Sequence, residues 1–300
     1  MRSSTTPSRR DGFTLIELLV VISILAILAG LTLAGISRVR AGQYRATTEG
    51  TVKKAQIALD QQLRTANEEA TKESSVYLPA VTTFCDGDKD RAKALLSYFN
   101  AKREFPQTFP EAKTPLTLPG FGTYPGLSTF AKLTAGASGL TADQESAVLL
   151  YLIVTEKGNK GTSTTGDAFA SATMTITSTS NVEYTVLKDG YGTHLAFIRW
   201  YGAIPQNPEV QAPPYINPKD IAQFGSVDRF DPLSKLRTWG NVGSRSTAQF
   251  ALNLPVGSPP VQFDGLNKML TVISAGPDKL FGTGDDIFGY PLARLGAKGD

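Results

Sequence analysis

The chain has 300 residues, with 30 Lys and Arg against 27 Asp and Glu, one histidine and one cysteine. A net charge of +3 calls for neither nucleic acid nor an acidic partner, a lone cysteine excludes an intrachain disulfide, and one histidine leaves little acid–base capacity near neutral pH. The length holds an apolar anchor plus one sizeable soluble domain, or two small ones.

The first residues carry Arg2, Arg9 and Arg10 ahead of Gly12 and Phe13, and an apolar run follows. From Leu18 to Ser37 there is no charge. At ~1.5 Å rise per helical residue that is about 30 Å, the hydrocarbon thickness of a bilayer, so the run is expected to span a membrane. The arginines put the leading end in the cytoplasm and the bulk of the chain outside. Glu17 lies inside the start of the run, where an unpaired carboxylate costs at least ~2.5 kcal/mol if it reaches the bilayer centre, so a compensating group is required. A secretory signal has a shorter apolar core followed by a small-residue cleavage site, whereas here the small residue precedes the run.

Gly12-Phe13-Thr14-Leu15-Ile16-Glu17, with the apolar stretch behind it, resembles the prepilin signature of type IV pilins and type II secretion pseudopilins. The resemblance implies residues 1–12 as a leader, cleavage between Gly12 and Phe13 by a membrane prepilin peptidase, and N-methylation of Phe13 by the same enzyme. It also implies residues 13–37 as a transmembrane and polymerisation helix. The implied partners are that peptidase and methyltransferase, the inner membrane, an assembly platform, and other pilin or pseudopilin subunits, including copies of this chain. Physical reasoning about Glu17 agrees. In a bundle of apolar helices a neighbouring subunit's terminal amine is one of few groups able to neutralise it, and leaving either charge alone is heavily penalised. Glu17 is therefore read as a register key for assembly.

Beyond the run the helix is expected to continue over 38–72. Val52, Ala55, Leu59, Leu63, Ala66 and Ala70 recur at three- and four-residue steps, with Lys53, Lys54, Asp60, Arg64 and Glu68 between them. Residues 73–300 are expected to form the soluble head. Leu78 to Asp90 reads as a loop; its Asp86, Asp88 and Asp90 fail the EF-hand pattern, since Arg91 and Ser97 stand where Gly and Glu are needed. They fit better as the acidic start of a helix over Arg91–Lys102. Residues 105–139 read as a Pro- and Gly-rich excursion, Ala142–Glu156 as a helix capped by Thr141, and 204–261 as proline-rich and irregular.

Strand patterns occupy Met174–Ser180, Val182–Leu187 and His194–Tyr201, the last two joined by the turn-rich Lys188–Thr193. His194 reads as a packed or surface strand residue. The expected fold is α+β: a long N-terminal membrane-spanning helix packed on a globular head with an antiparallel sheet, as in pilins. Asp189–Thr193, D-G-Y-G-T, resembles the D-P-W-G-N stretch of major pseudopilins, with Gly190 and Tyr191 in place of its proline and tryptophan.

The C-terminal stretch 274–287 is a glycine-rich loop with Asp278, Asp285 and Asp286. Calcium takes six to eight hard oxygen ligands, which such a loop can supply from carboxylates and carbonyls. The stretch resembles the calcium loop of major type II pseudopilins. That likeness implies a structural Ca2+ with Asp278 and Asp285 as ligands, Asp286 as a further one, and carbonyls from around Ser274 and Leu280.

The function expected is a structural subunit, not an enzyme. No nucleophile elbow, P-loop or histidine metal cluster is present in the sequence. The resemblance implies a pseudopilin, anchored in the bacterial inner membrane with its head in the periplasm, that polymerises into a periplasmic filament of a type II secretion-like system. The alternative is a type IV pilin or minor pilin of a surface filament for adhesion, motility or DNA uptake, the last being the one case that brings in nucleic acid.

Overall fold

The computed structural model describes residues 15–118, 122–124, 139–155, 166–201, 230–252 and 269–289, with the side chains at 31–38, 69–71, 73, 74, 118, 124, 166–168, 200, 201 and 269 set aside. The helices are α1 (Leu15–Phe84), α2 (Lys89–Glu104), α3 (Phe109–Lys113), α4 (Ala142–Val154) and α5 (Val242–Ala251). The strands are β1 (Leu116–Leu118), β2 (Gly122–Tyr124), β3 (Thr173–Thr177), β4 (Glu183–Leu187), β5 (Leu195–Tyr201), β6 (Met269–Ser274) and β7 (Ile287–Phe288), and a 3-10 turn over Gly166–Ala172 precedes β3. The fold is α+β with antiparallel sheets, as the sequence predicts. Contacts divide the chain into two units, Met1–Tyr44 and Arg45–Asp300.

In the first unit the described residues all lie in α1, and every side chain from Leu15 to Gly30 is exposed, Ile16 at 70 %. A helix apolar on all sides is stable only against apolar surroundings. Among the described residues no helix is long and apolar enough to cross a membrane. The uncharged run of the sequence extends into 31–38, where the backbone is helical and the side chains lie outside the described set.

In the second unit α1 turns one stripe inward. Val52, Ala55, Leu59, Leu63 and Ala66 are buried, while Lys53, Lys54, Arg64 and Glu68 are exposed. The helix does not stop near Lys72, nor does a loop begin at Leu78: it runs through Pro79 to Phe84. An interior proline costs ~3 kcal/mol. Burial offsets this, because Val81 and Cys85 are fully buried and Tyr77, Leu78 and Phe84 pack on the same core. The end is a left-handed cap: Asp86 and Gly87 take φ of +57° and +80°, and Gly87 N–H donates to Thr82 O at 2.8 Å. Asp88 then caps α2, its carboxylate accepting from the N–H groups of Asp90 and Arg91, both at 3.0 Å. Asp88 and Asp90 thus serve a helix start, as expected, whereas Asp86 lies in the cap that ends α1 and accepts from Trp239 and Asn241.

The stretch read as irregular contains α5. Asn241 caps it, accepting from Ser244 N–H at 3.1 Å, and Phe230, Leu236, Trp239, Ala248 and Leu252 enter the core. Trp239 Nε1 donates to Asp86 at 2.7 Å, which ties this segment to the end of α1. The rest of the proline-rich stretch lies outside the described residues, as does Glu156 at the expected end of α4.

Among the described residues, β1 pairs with β2, β3 with β4, and β5, β6 and β7 form a third antiparallel sheet with β6 in the middle. β4 and β5 meet at the single bridge Lys188–His194, so the expected hairpin exists at its tip, while β5 pairs onward with β6. Leu195, Phe197, Leu270 and Val272 face the main core.

Two backbone edges of this sheet are closed by helix side chains. Ser146 of α4 donates to Phe197 O at 2.9 Å and accepts from Phe197 N–H at 3.1 Å. Fully buried Gln56 of α1 donates to Leu270 O at 2.9 Å and accepts from Val272 N–H at 2.8 Å, so its carboxamide stands in for a strand. Gly289 is required beside it, since a Cβ there would meet Gln56 Oε1 at 2.6 Å. A buried ion pair locks the other end of β5: Arg199 grips Glu111 of α3 through both its terminal nitrogens at 2.9 and 2.8 Å. Burial alone would raise the Glu111 carboxyl; the Arg199 charge and hydrogen bonds hold it below its ordinary value.

Gln56→Leu leaves Leu270 C=O and Val272 N–H buried without partners, at about 1–3 kcal/mol each. The expected result is a melting temperature lowered by several degrees in full-length protein in detergent, with Gln56→Glu affected at least as much, since a fully buried carboxylate would then face Leu270 O and the Asp60 carboxylate. An unchanged melting temperature in the leucine variant would show that the carboxamide is not the clamp.

Candidate functional site

Glu17, the assembly residue predicted from sequence, sits in the first turn of α1 and is exposed. An acid in the first turn is favoured by the helix dipole. Gly12 and Phe13, the predicted processing residues, lie outside the described residues.

The second candidate is the loop between β6 and β7. It is tight: Gly276, Lys279 and Gly282 all have positive φ. Gly276 is buried at the crossing of the loop's two limbs, where a Cβ would lie 2.3 Å from Asp285 O. The predicted acids fall here together. Asp278 Oδ1 accepts from Leu280 N–H at 2.8 Å, and Asp285 Oδ2 accepts from Asp278 N–H at 3.0 Å. Asp285 Oδ1 takes the Thr283 hydroxyl, and Asp286 Oδ2 accepts from Gly282 N–H at 2.8 Å.

The three carboxylates differ in what holds them. Hydrogen bonds from the Thr283 hydroxyl and Asp278 N–H keep the Asp285 carboxyl below its usual value. Burial pushes Asp286 up to about 6, the charges of Asp285 and Asp278 add to that, and the N–H groups of Gly282 and Thr283 oppose it. Asp286 Oδ1 is buried and has no hydrogen-bond partner. Among the described residues no group of three or more His, Cys, Asp or Glu side chains is arranged as a ready metal cluster. Asp278 and Asp285 are turned onto the loop's own amides, not toward a common centre. The three acids thus share one short loop without forming a cation centre in this conformation.

Sequence reasoning flagged Asp189 only as part of a turn. It is 4 % exposed: Oδ1 accepts from Tyr191 N–H at 2.9 Å and Thr193 N–H at 2.8 Å, and Oδ2 from Ser274 Oγ at 2.7 Å. The signal was local, an Asp followed by two glycines; the partner at Ser274 is 85 positions away. His194 packs as expected for a strand residue, with Nε2 3.1 Å from Asp143 Oδ2 and its ring 5.3 Å from that of Phe281. The Cys85 thiol is pushed up to about 12 by burial, which leaves it unreactive.

Residues 7–33 match the family described as the prokaryotic N-terminal methylation motif, the hallmark of type IV pilin-like prepilins and pseudopilins. The match covers residues 7–12 of the expected leader, the Gly12–Phe13 bond, Glu17 and most of the apolar run. Such a motif implies processing by a prepilin peptidase and assembly with other pilin-type subunits, and it points to a membrane-anchored, pilin-like protein. No curated relative and no solved structure matches the chain.

Gly12→Ala is expected to block processing, because the peptidase must approach the backbone at a residue without a side chain. An immunoblot of envelope fractions checks this: the variant should run as the longer precursor only, and conversion at the wild-type rate would contradict the assignment of the cleavage point.

Proposed function

We propose that the chain is a pseudopilin: a structural subunit, not an enzyme, that is anchored in the inner membrane by residues 13–37 and polymerises through α1 into a periplasmic filament of a type II secretion-like system. The observation that carries this reading is the methylation motif running without interruption into α1, with Glu17 in its first turn. Cleavage at Gly12 creates a free amine four residues before Glu17. In the filament the amine of one subunit is matched to Glu17 of another, inside a bundle with few other groups able to neutralise it. In an apolar bundle this pairing fixes axial register, since any other register strands two charges. Force for assembly comes from outside the subunit.

The choice of pseudopilin over pilin rests on the C-terminal loop. Cys85 cannot form an intrachain disulfide, and the loop between β6 and β7 offers another closure. A calcium ion held by Asp278, Asp285 and Asp286, with carbonyls near Ser274 and Leu280, would neutralise the crowded carboxylates and lock the turn. The chain's own part is to bring the acids within one loop and to leave Asp286 Oδ1 without a donor. The reading of a surface pilin or minor pilin draws on the size of the head, which adds α5 and the Trp239 segment to the sheet core.

Two outcomes test the proposal. Glu17→Val is expected to insert in the membrane normally and to be lost from the sheared filament fraction, since removing one member of a buried pair costs about 3–5 kcal/mol at each subunit contact; wild-type filament yield would exclude the register role. Asp278→Ala combined with Asp285→Ala is expected to lower the melting temperature by more in calcium than in chelator, where only the loop's hydrogen bonds are lost. The lost increment is about 2.7 kcal/mol at calcium a hundredfold above Kd. An equal drop in chelator would mean that the acids hold the loop by hydrogen bonds alone.

A further inference from the structure

We infer that the cavity bounded by α2, α3, β1 and the end of α5 is a binding site for a small organic carboxylate, with Lys102 as its cation and Phe250 as its apolar rim.

A lysine in the last turn of a helix ordinarily lays its stem on the surface and keeps its ammonium in water. Lys102 stands in the last turn of α2 and is only 7 % exposed. Its Nζ donates to Ala251 O, at the end of α5, at 2.6 Å. An ammonium carries three donors, and this is the one hydrogen bond Lys102 makes among the described residues. Glu111 Oε1 lies 3.6 Å away, within ion-pair reach and beyond hydrogen-bond length. That carboxylate is already committed: Arg199 takes both its oxygens at 2.8 and 2.9 Å, and Gln107 N–H donates to Oε2 at 2.8 Å. Two buried cations thus share one anion, which leaves an excess of one positive charge. Arg103 and Glu104, next along α2, pair with each other at 2.9 Å and do not alter that balance. Burial pushes Lys102 down to about 8; the Glu111 charge opposes this and the Arg199 charge adds to it. A buried charge without a full counter-charge is costly, and an anion beside Lys102 removes that cost.

Space for the anion is present. The cavity has a volume of about 350 Å3, at the lower end of the range of ~300–1,000 Å3 for small-molecule sites. Its walls include Thr108, Leu116 and Phe250 beside Lys102 and Glu111. Because Glu111 is matched by Arg199, Lys102 sets the sign of the site. The Thr108 hydroxyl accepts from Glu111 N–H at 3.4 Å and keeps its own proton to donate to a second carboxylate oxygen. Phe250 is 79 % exposed, while its neighbours Ala248 and Leu252 are fully buried. A buried ammonium and a hydroxyl, with an aromatic side chain at the mouth, fit an acid that carries an apolar body of about one ring.

The test uses the full-length protein in detergent and titration calorimetry, with detergent alone as the blank. Benzoate is the probe, benzyl alcohol its uncharged counterpart, and inorganic phosphate an anion without an apolar body. Benzoate is expected to bind near neutral pH, with benzyl alcohol and phosphate at least about tenfold weaker. Lys102→Met keeps the stem and removes the charge; it is expected to weaken benzoate binding by about 10- to 100-fold, the range that a hydrogen bond to a charged group supplies. Phe250→Ala, at an exposed position, is expected to weaken it several-fold. Only the protonated amine attracts the anion, so wild-type binding is full at pH well below Lys102's value and falls about tenfold for each pH unit above ~8. No benzoate heat in wild type, equal binding by Lys102→Met, or an affinity that does not change above pH ~8 would each overturn the inference. Phosphate binding as tight as benzoate would overturn the assignment of an organic acid. If Lys102→Met does not fold, Phe250→Ala and the pH profile decide.

Discussion

The Gln56 carboxamide donates to Leu270 and accepts from Val272 across 214 positions or more of sequence, and the head depends on that contact. An isolated sheet of two long strands and a two-residue third leaves backbone groups exposed along its edges. Here α1 supplies an amide that completes the pattern on one side of β6, and Ser146 of α4 does the same for β5. The helix stripe of Val52, Ala55 and Leu59 provides the apolar contact, and Gln56 within it provides direction. Hydrophobic burial alone would permit the helix to slide along the sheet; two buried hydrogen bonds to strand positions two residues apart set one register.

Charge is distributed by the same logic of burial and partnership. Arg199 and Glu111 are buried and grip each other through two hydrogen bonds, so neither is left uncompensated. In the acidic loop, three carboxylates are satisfied mainly by main-chain N–H groups, and Asp286 keeps one buried oxygen without a donor. The loop is thus folded on its own hydrogen bonds. At the other end of the chain Glu17 places a carboxylate among apolar side chains.

Much of this was legible in the sequence because it is local or periodic. The N-terminal motif occupies consecutive residues, the α1 stripe recurs at helical spacing, Asp88 and Thr141 stand where caps belong, and the strand runs alternate. What escaped was set by partners distant in the chain. Pro79 reads as a helix breaker until Val81 and Cys85 are seen to be fully buried beyond it. Gln56 reads as a polar gap in an apolar stripe, since nothing nearby announces Leu270 and Val272. Helix α5 was hidden by proline-rich flanks although Asn241 marks its start, and Asp189 read as a turn residue because its second oxygen serves Ser274. The three acids of the last loop were identified individually, but sequence could not foretell that their oxygens would turn onto the loop's own amides.

The central claim is that the apolar N-terminal helix survives maturation and becomes the subunit's means of assembly. Its most direct test is the intact mass and N-terminal sequence of the protein recovered from assembled filaments. The account predicts a chain that begins at Phe13, carries one added methyl group and retains the whole of α1. A chain beginning beyond residue 36, soluble and unable to associate, would contradict it.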